Sequence, residues 1–219
     1  MPTSTRVLNT EILFDMALDA ANRINAPQRE GGKRDALISI VFAAISLEAF
    51  LNELVELAQD FCEYENVPPG VSTFAPVMSE LSRLPILQRF KLAHLVLTSS
   101  PYDTSSEPFQ SLTLLFQVRN DLVHFKPDPL EDDGSKPTHT TLEKLKSRNI
   151  LNDSPLEEHG RSWMHSVGTK AVAEWACNST SLVAADFISR IPEGLWKDAM
   201  EKVSEKIVTV HFPAHRPKS

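Results

Sequence analysis

Cysteine is nearly missing from this chain: Cys62 and Cys177 are the only two among 219 residues. Two thiols so far apart, both in expected helices, make no disulfide scaffold. They are expected to be packed free thiols in a reducing compartment, with the cytoplasm as the default location. Long apolar runs are scarce too. The longest nearly unbroken one, Ala36 to Leu47, is interrupted by Ser39 and falls short of the roughly 18–20 residues of a bilayer span. No membrane span is therefore expected. No basic segment followed by an apolar stretch opens the chain, so no secretory signal peptide is expected either. Positive charge is not in excess: the formal net charge is -7. That argues against a broad nucleic-acid-coating surface, but not against a small cleft where a few cations meet one phosphate. Glycine-rich phosphate loops and nucleophile elbows are absent. So is sustained period-two alternation; only Ile207 to Phe212 has strand-like residues, and one isolated strand cannot build a sheet.

Helical periodicity is what remains. Ile12, Leu13, Met16, Leu18, Ala20 and Ala21 predict a first helix from about Asn9 to Ile24. Asp35 is expected to cap a long helix reaching about Cys62, apolar on every side in its first half and therefore buried all round. A turn-rich connection covers Glu63 to Phe74, a short helix follows Pro76, and another after Pro85 covers Ile86 to Leu97. Thr140 and Glu143 fit a capping box for a short helix over Leu142 to Ser147. One long closing helix is expected from about Ser162 to Arg190, weakened or bent at Gly168. A further short helix is expected around Leu195 to Val203. The fold class is all-α, an up-and-down bundle of four to five main helices. Residues 1–27 hold an N-terminal helix, 28–190 the bundle with a 128–160 insertion, and 191–219 a C-terminal extension.

The chain is organised around Phe109 to Pro127. Leu112, Leu115, Phe116, Leu122 and Val123 recur at helical steps. Ser106 suits the N-cap, Pro108 the first turn, and Pro127 and Pro129 forbid continuation. Lys126 suits the negative end of the helix dipole. Set into this apolar helix are Arg119, Asn120, Asp121 and His124. In the earlier long helix, Glu48, Asn52 and Glu56 form a polar stripe at four-residue steps. One reading makes Glu48 the start of a solvated face; the other turns Glu48 and Asn52 toward Arg119.

Arg119-Asn-Asp-Leu-Val-His124-Phe, late in an apolar helix, resembles the motif of the HEPN family. Ser46-Leu-Glu-Ala-Phe-Leu-Asn-Glu-Leu54 resembles that family's earlier long helix, which often carries an acidic residue facing the motif. The similarity covers roughly residues 36–125 and the return helix at 162–190. It implies a helical bundle that dimerises, with two copies of the arginine and histidine in one cleft. Many members are metal-independent endoribonucleases, toxins or phage-defence components; others are non-catalytic modules that bind protein or nucleotide. By that resemblance Arg119, Asn120 and His124 are the motif residues, supported by Glu48, Asn52 and Asp121. The implied partners are a second copy, RNA, and an antitoxin or nucleotidyltransferase; no cofactor, metal or membrane is implied. Arg89-Phe-Lys-Leu-Ala-His94 has the same separation, but Phe90 stands where the pattern has a polar residue.

These residue types suit the chemistry. Metal-free RNA cleavage needs a base for the ribose 2′-hydroxyl, stabilisation of charge on phosphorus, and an acid for the departing 5′-oxygen. Histidine titrates near neutrality and does either proton task. Arginine stays charged and presents forked donors to phosphate oxygens. Asn120, four residues before His124, lies on nearly the same helical face and is suited to orienting the ring or binding phosphate. Arg119 and His124 stand about 140° apart on a helical wheel, so they converge only by reach or by distortion of the helix end. The competing structural reading has Arg119 and Asp121 in interhelical pairs and His124 bonded at the helix end.

Other groupings carry less. His159 and His165 near Glu157 and Glu158 share no helix face at metal-ligand spacing. His211 and His215 are expected to be exposed. Asn178-Ser-Thr matches a glycosylation sequon by letters only. Trp163 and Trp175 are expected to fill a core or dimer interface.

Overall fold

A computed structural model describes residues 9–24, 32–62, 69–105, 107–124, 139–151 and 163–213. Among these residues there are ten helices and no strand: α1 (Thr10–Arg23), α2 (Gly32–Phe61), α3 (Pro69–Glu80), α4 (Ile86–Thr98), α5 (Phe109–Val123), α6 (Thr140–Ser147), α7 (Trp163–Val167), α8 (Lys170–Arg190), α9 (Leu195–Val203) and α10 (Glu205–Thr209). The all-α expectation is met; four to five main helices with shorter ones beside them were expected, and the described residues form ten helices, five of them of 12 residues or fewer.

The 30-residue α2 is the spine. Small side chains let its neighbours approach closely: Ala43 and Ala44 of α2, Ala17, Ala20 and Ala21 of α1, and Ala173, Ala176 and Cys177 of α8 are all fully buried. Across the α2–α8 contact, Thr180 Oγ1 donates to the Ala43 carbonyl at 3.0 Å, and Ser39 Oγ lies 3.5 Å from Cys177 Sγ. By length and composition alone α2 could cross a membrane, with a mean hydropathy of 1.8 over its most apolar window. That is more than the interrupted run at 36–47 suggested. However, 61% of the window is buried, so much of the apolar surface is already covered within the bundle. Larger side chains fill the space farther along, among them Phe50, Leu51, Phe90, Leu112, Phe116 and Phe187, with Phe90 edge-on to Phe187 at 5.1 Å. Phe14 of α1, Trp196 and Met200 of α9 and Ile207 of α10 belong to the same core.

Several local expectations are corrected. The helix α2 begins at Gly32, so Asp35 is not its cap but sits in the first turn, paired with Arg23 at 3.3 Å. The helix α3 begins at Pro69 and runs through Pro76 rather than starting after it. A proline at the first helical position loses no needed N–H. Downstream, burial of Val71, Phe74, Ala75 and Met78 holds the turn that Pro76 weakens. In α6 the N-cap is His139, and Thr140 makes no cap. The expected closing helix is broken: α7 ends at Val167, and Thr169 caps α8 by accepting from Val172 N–H at 3.3 Å. Cys177 is buried, and burial pushes its thiol up to about 11; Cys62 is exposed, not packed as expected, because it lies one residue past the end of α2.

Candidate functional site

The buried positions of α5 fix where its polar ones emerge. Leu112, Leu115, Phe116 and Val118 are in the core, anchoring α5 against α2 and α8. At the start of α5 the N-cap is Pro108, which offers no side-chain cap, and Glu107 Oε2 accepts from Ser111 N–H at 3.1 Å. Ser106 lies outside the described residues, as do Lys126, Pro127 and Pro129. At the other end His124 is the C-cap, its N–H bonded to the Asn120 carbonyl at 2.8 Å.

Between these ends Arg119 is held on two sides. Its Nη2 lies 3.2 Å from Glu48 Oε1 on α2, and its Nη1 donates to Asn120 Oδ1 at 2.9 Å. Its Nε is buried with no acceptor among the described residues. The pair is not sealed: the Arg119 and Glu48 side chains keep 23% and 32% of their exposure. Both line a groove of about 690 Å³ between the N-terminal end of α4, the middle of α2 and the last turns of α5. Asn120 and Asp121 line it too.

Not every residue singled out from the sequence faces Arg119. Asn52 is exposed and its Oδ1 accepts from Arg89 Nη2 at 2.7 Å, so Asn52 holds Arg89 instead. Asp121 Oδ2 accepts from the buried Thr141 hydroxyl of α6, which in turn accepts from Gln117 Nε2 at 3.1 Å. Lys144 Nζ donates to Gln117 Oε1 at 2.7 Å. Asp121 thus ties α6 to α5. Asn120 steadies the guanidinium through its side chain and meets His124 only through the backbone. His124 is exposed at the helix end and does not line the groove.

Arg89 is the residue the sequence reading passed over. It lines the groove beside Arg119. Burial lowers its pKa below the ordinary arginine value, while the Glu48 carboxylate opposes that shift. One carboxylate thus faces two guanidiniums. The signal was present only as Asn52 and Glu48 standing one turn apart on α2.

His94, the other half of that second arginine–histidine pair, goes elsewhere. It is buried, with its ring 4.3 Å from Tyr102 and Nδ1 3.0 Å from the Ser100 carbonyl. Tyr102 donates to Asp186 Oδ2 at 2.8 Å, and Arg190 grips both oxygens of that carboxylate at 2.9 and 2.6 Å. Burial is the main cause that raises the Tyr102 hydroxyl's pKa and lowers that of His94.

Among the described residues no three histidines, cysteines or carboxylates stand close enough to hold a metal ion. His165 is exposed on α7, and His159, Glu157 and Glu158 lie outside the described residues. Trp163 is buried, stacked on His139 at 4.2 Å, and Trp175 is half-buried. Asn178 of the sequon-like triplet is bonded through its side chain to both backbone groups of Phe212. His211 is exposed, and His215 is outside the described residues. Comparison of the chain with protein-family models, with curated proteins and with solved structures finds no match in any of the three.

Proposed function

We propose that this chain is a HEPN-like, metal-independent endoribonuclease that cleaves RNA in a cleft shared by two copies, in a toxin or phage-defence setting. The observation that carries the reading is the fixed guanidinium. Arg119 is clamped by Glu48 and Asn120 on the wall of an open groove, with donors to spare. A pre-positioned cation costs little reorganisation when charge develops on phosphorus. His124, exposed beyond the groove at the end of the same helix, is free to meet a substrate held partly by a second copy.

In this mechanism one His124 takes the proton from the ribose 2′-hydroxyl as the 2′-oxygen bonds to phosphorus. The bond from phosphorus to the 5′-oxygen breaks, and the His124 of the second copy delivers a proton to that oxygen. The products are a 2′,3′-cyclic phosphate and a 5′-hydroxyl. Arg119 neutralises the charge on the non-bridging oxygens throughout. An antitoxin, or a nucleotidyltransferase acting on the chain, would restrain the activity in a cytoplasmic host.

Labelled RNA incubated with purified protein in EDTA tests the reading. His124→Ala is expected to slow cleavage by about 10² to 10⁴, the usual worth of a positioned acid or base. Arg119→Ala should slow it by about 10² to 10³, the usual worth of one charge-stabilising donor. Cleavage untouched by His124→Ala rejects the assignment.

A second reading is a non-catalytic dimeric module that binds protein or nucleotide. It is favoured by one observation: His124 is not on the groove wall that Arg119 occupies. Induced expression separates the two, since an unrestrained nuclease arrests growth and a binding module does not. A nucleotide-binding assay accompanies it.

A further inference from the structure

Glu48 and Asn52 are four residues apart on α2, about 6 Å along the helix axis. Each holds one arginine that reaches in from another helix: Arg119 from α5 at 3.2 Å, and Arg89 from α4 at 2.7 Å. Both arginines line the same open groove. The two holders differ in charge. Glu48 neutralises part of Arg119, whereas Asn52 offers Arg89 only a neutral oxygen. Arg89 keeps its charge at a cost, since burial works against it and Glu48 offsets that in part. Its Nε is also buried without an acceptor among the described residues. Asp121, the other carboxylate on the groove, is engaged by the Thr141 hydroxyl. A partly buried guanidinium with a neutral holder and unused donors is matched by an anion, and its fork matches the oxygens of a phosphate.

Resting on the RNA-cleft reading above, we propose that Arg89 is a second phosphate-binding residue, holding the phosphate next to the one at Arg119 on the same single strand. The two holders stand one helical turn, about 6 Å, apart along α2, a step comparable to that between successive phosphates of an extended strand. The groove then recognises backbone rather than bases. It needs at least two consecutive phosphodiesters for full affinity, and it favours single strands whose backbone can follow the α2 axis. The chain's overall charge of -7 leaves no net excess of cations to draw RNA in, which makes this local pair more telling.

The test uses the full chain and 2′-O-methyl oligoribonucleotides, whose blocked 2′-oxygen prevents cleavage. Affinity is measured by fluorescence anisotropy over a salt series, for a dimer with one phosphodiester and a tetramer with three. Arg89→Ala is expected to weaken tetramer binding about five- to tenfold and to flatten the slope of log affinity against log salt by about 0.7, the value of one lost phosphate contact on a single strand. The one-phosphate dimer should lose less than about twofold by the same electrostatic reasoning. Arg89→Gln keeps the stem and a donor toward Asn52 while removing the charge, and should flatten the slope equally; it decides the matter if Arg89→Ala does not fold. Unchanged tetramer affinity and slope in Arg89→Gln, equal losses on dimer and tetramer, or no tetramer binding by wild type would overturn the proposal. Cleavage of unmodified RNA, followed in parallel, reports on the other reading. Tight two-phosphate binding without cleavage removes the nuclease and leaves Arg89 its role, and cleavage with an unaltered Arg89→Gln binding profile does the reverse.

Discussion

His94 illustrates what burial does to a single titratable side chain. Packed against Tyr102 and Phe187, it is pushed below its usual pKa of 6.5 chiefly by desolvation, with Arg190 adding to the shift and the Ser100 carbonyl and Asp186 opposing it. A base whose folded pKa is lowered binds fewer protons folded than unfolded, so stability rises with pH through that interval. The contribution is complete above about pH 6.5 and is lost as pH falls through the window beneath it. The urea midpoint is therefore expected to drop between pH 7.5 and 5.5, and His94→Phe, which keeps an aromatic ring beside Tyr102, should flatten the drop. An equal drop in wild type and variant would assign the pH dependence to other groups. At this scale the sequence was informative where partners sit on regular helical steps, and silent where they arrive from afar. Glu48 could be aimed at Arg119 because a polar stripe with a four-residue step was visible on α2. Asn52 belongs to the same stripe, yet its partner comes from α4, and no periodicity encodes which helix will lie alongside. The two arginine–histidine pairs show the same limit. Arg89 and His94 share their spacing with Arg119 and His124, but the first pair divides between a groove and a buried aromatic cluster.

Element boundaries depend on close approaches that a sequence does not display. At Gly168 an added Cβ would lie 3.2 Å from Lys33 Cβ and 3.3 Å from the Lys33 carbonyl oxygen, because the α7–α8 junction crosses the start of α2 there. The glycine reads in sequence as a weak point in one helix. In the fold it is where two backbones touch, and Thr169 restarts the helix as its cap. Gly168→Ala is expected to cost about 1–3 kcal/mol as an overpacked contact, and Thr169→Ala about 0.5–2 kcal/mol as a lost cap. Both are read from urea midpoints. A Gly168→Ala variant as stable as wild type would mean that Lys33 yields freely. The helix α3 teaches the converse lesson. Pro68, Pro69 and Gly70 have the composition of a turn, but a proline is at home in a first helical turn, and Phe74 and Met78 bury fully once the helix forms. Phe74 also meets Trp196 of α9 at 5.3 Å, a contact between segments 122 positions apart that local propensity cannot register. Long, strongly periodic elements such as α2, α5 and α8 were legible because their apolar faces repeat over several turns. Of the short ones, α6 and α9 were legible close to their observed bounds, whereas the start of α3, α7 as a helix of its own and α10 were not.

At the scale of the whole molecule, the proposed chemistry meets a geometric constraint inside one chain. Arg119 lines the groove, His124 stands exposed at the helix end outside it, and the helical wheel separates them by about 140°. If His124 moves protons at a phosphate bound by Arg119, either the helix end rearranges or a second copy supplies the ring. The resemblance that suggested a nuclease also implies a two-fold cleft, and that version makes activity depend on association. The rate per chain should then rise with protein concentration and level off once the dimer is saturated, with the midpoint matching the dissociation constant from sedimentation. Raising salt complicates the comparison, because phosphate contacts weaken with ionic strength whether or not the dimer survives. The concentration series is therefore run at one fixed salt, with an oligonucleotide short enough to fit one groove. A rate per chain that stays constant from well below to well above the sedimentation midpoint would place both roles in a single copy. In that case the end of α5 must rearrange when RNA binds, since His124, at the C-cap position, does not line the groove that holds Arg119.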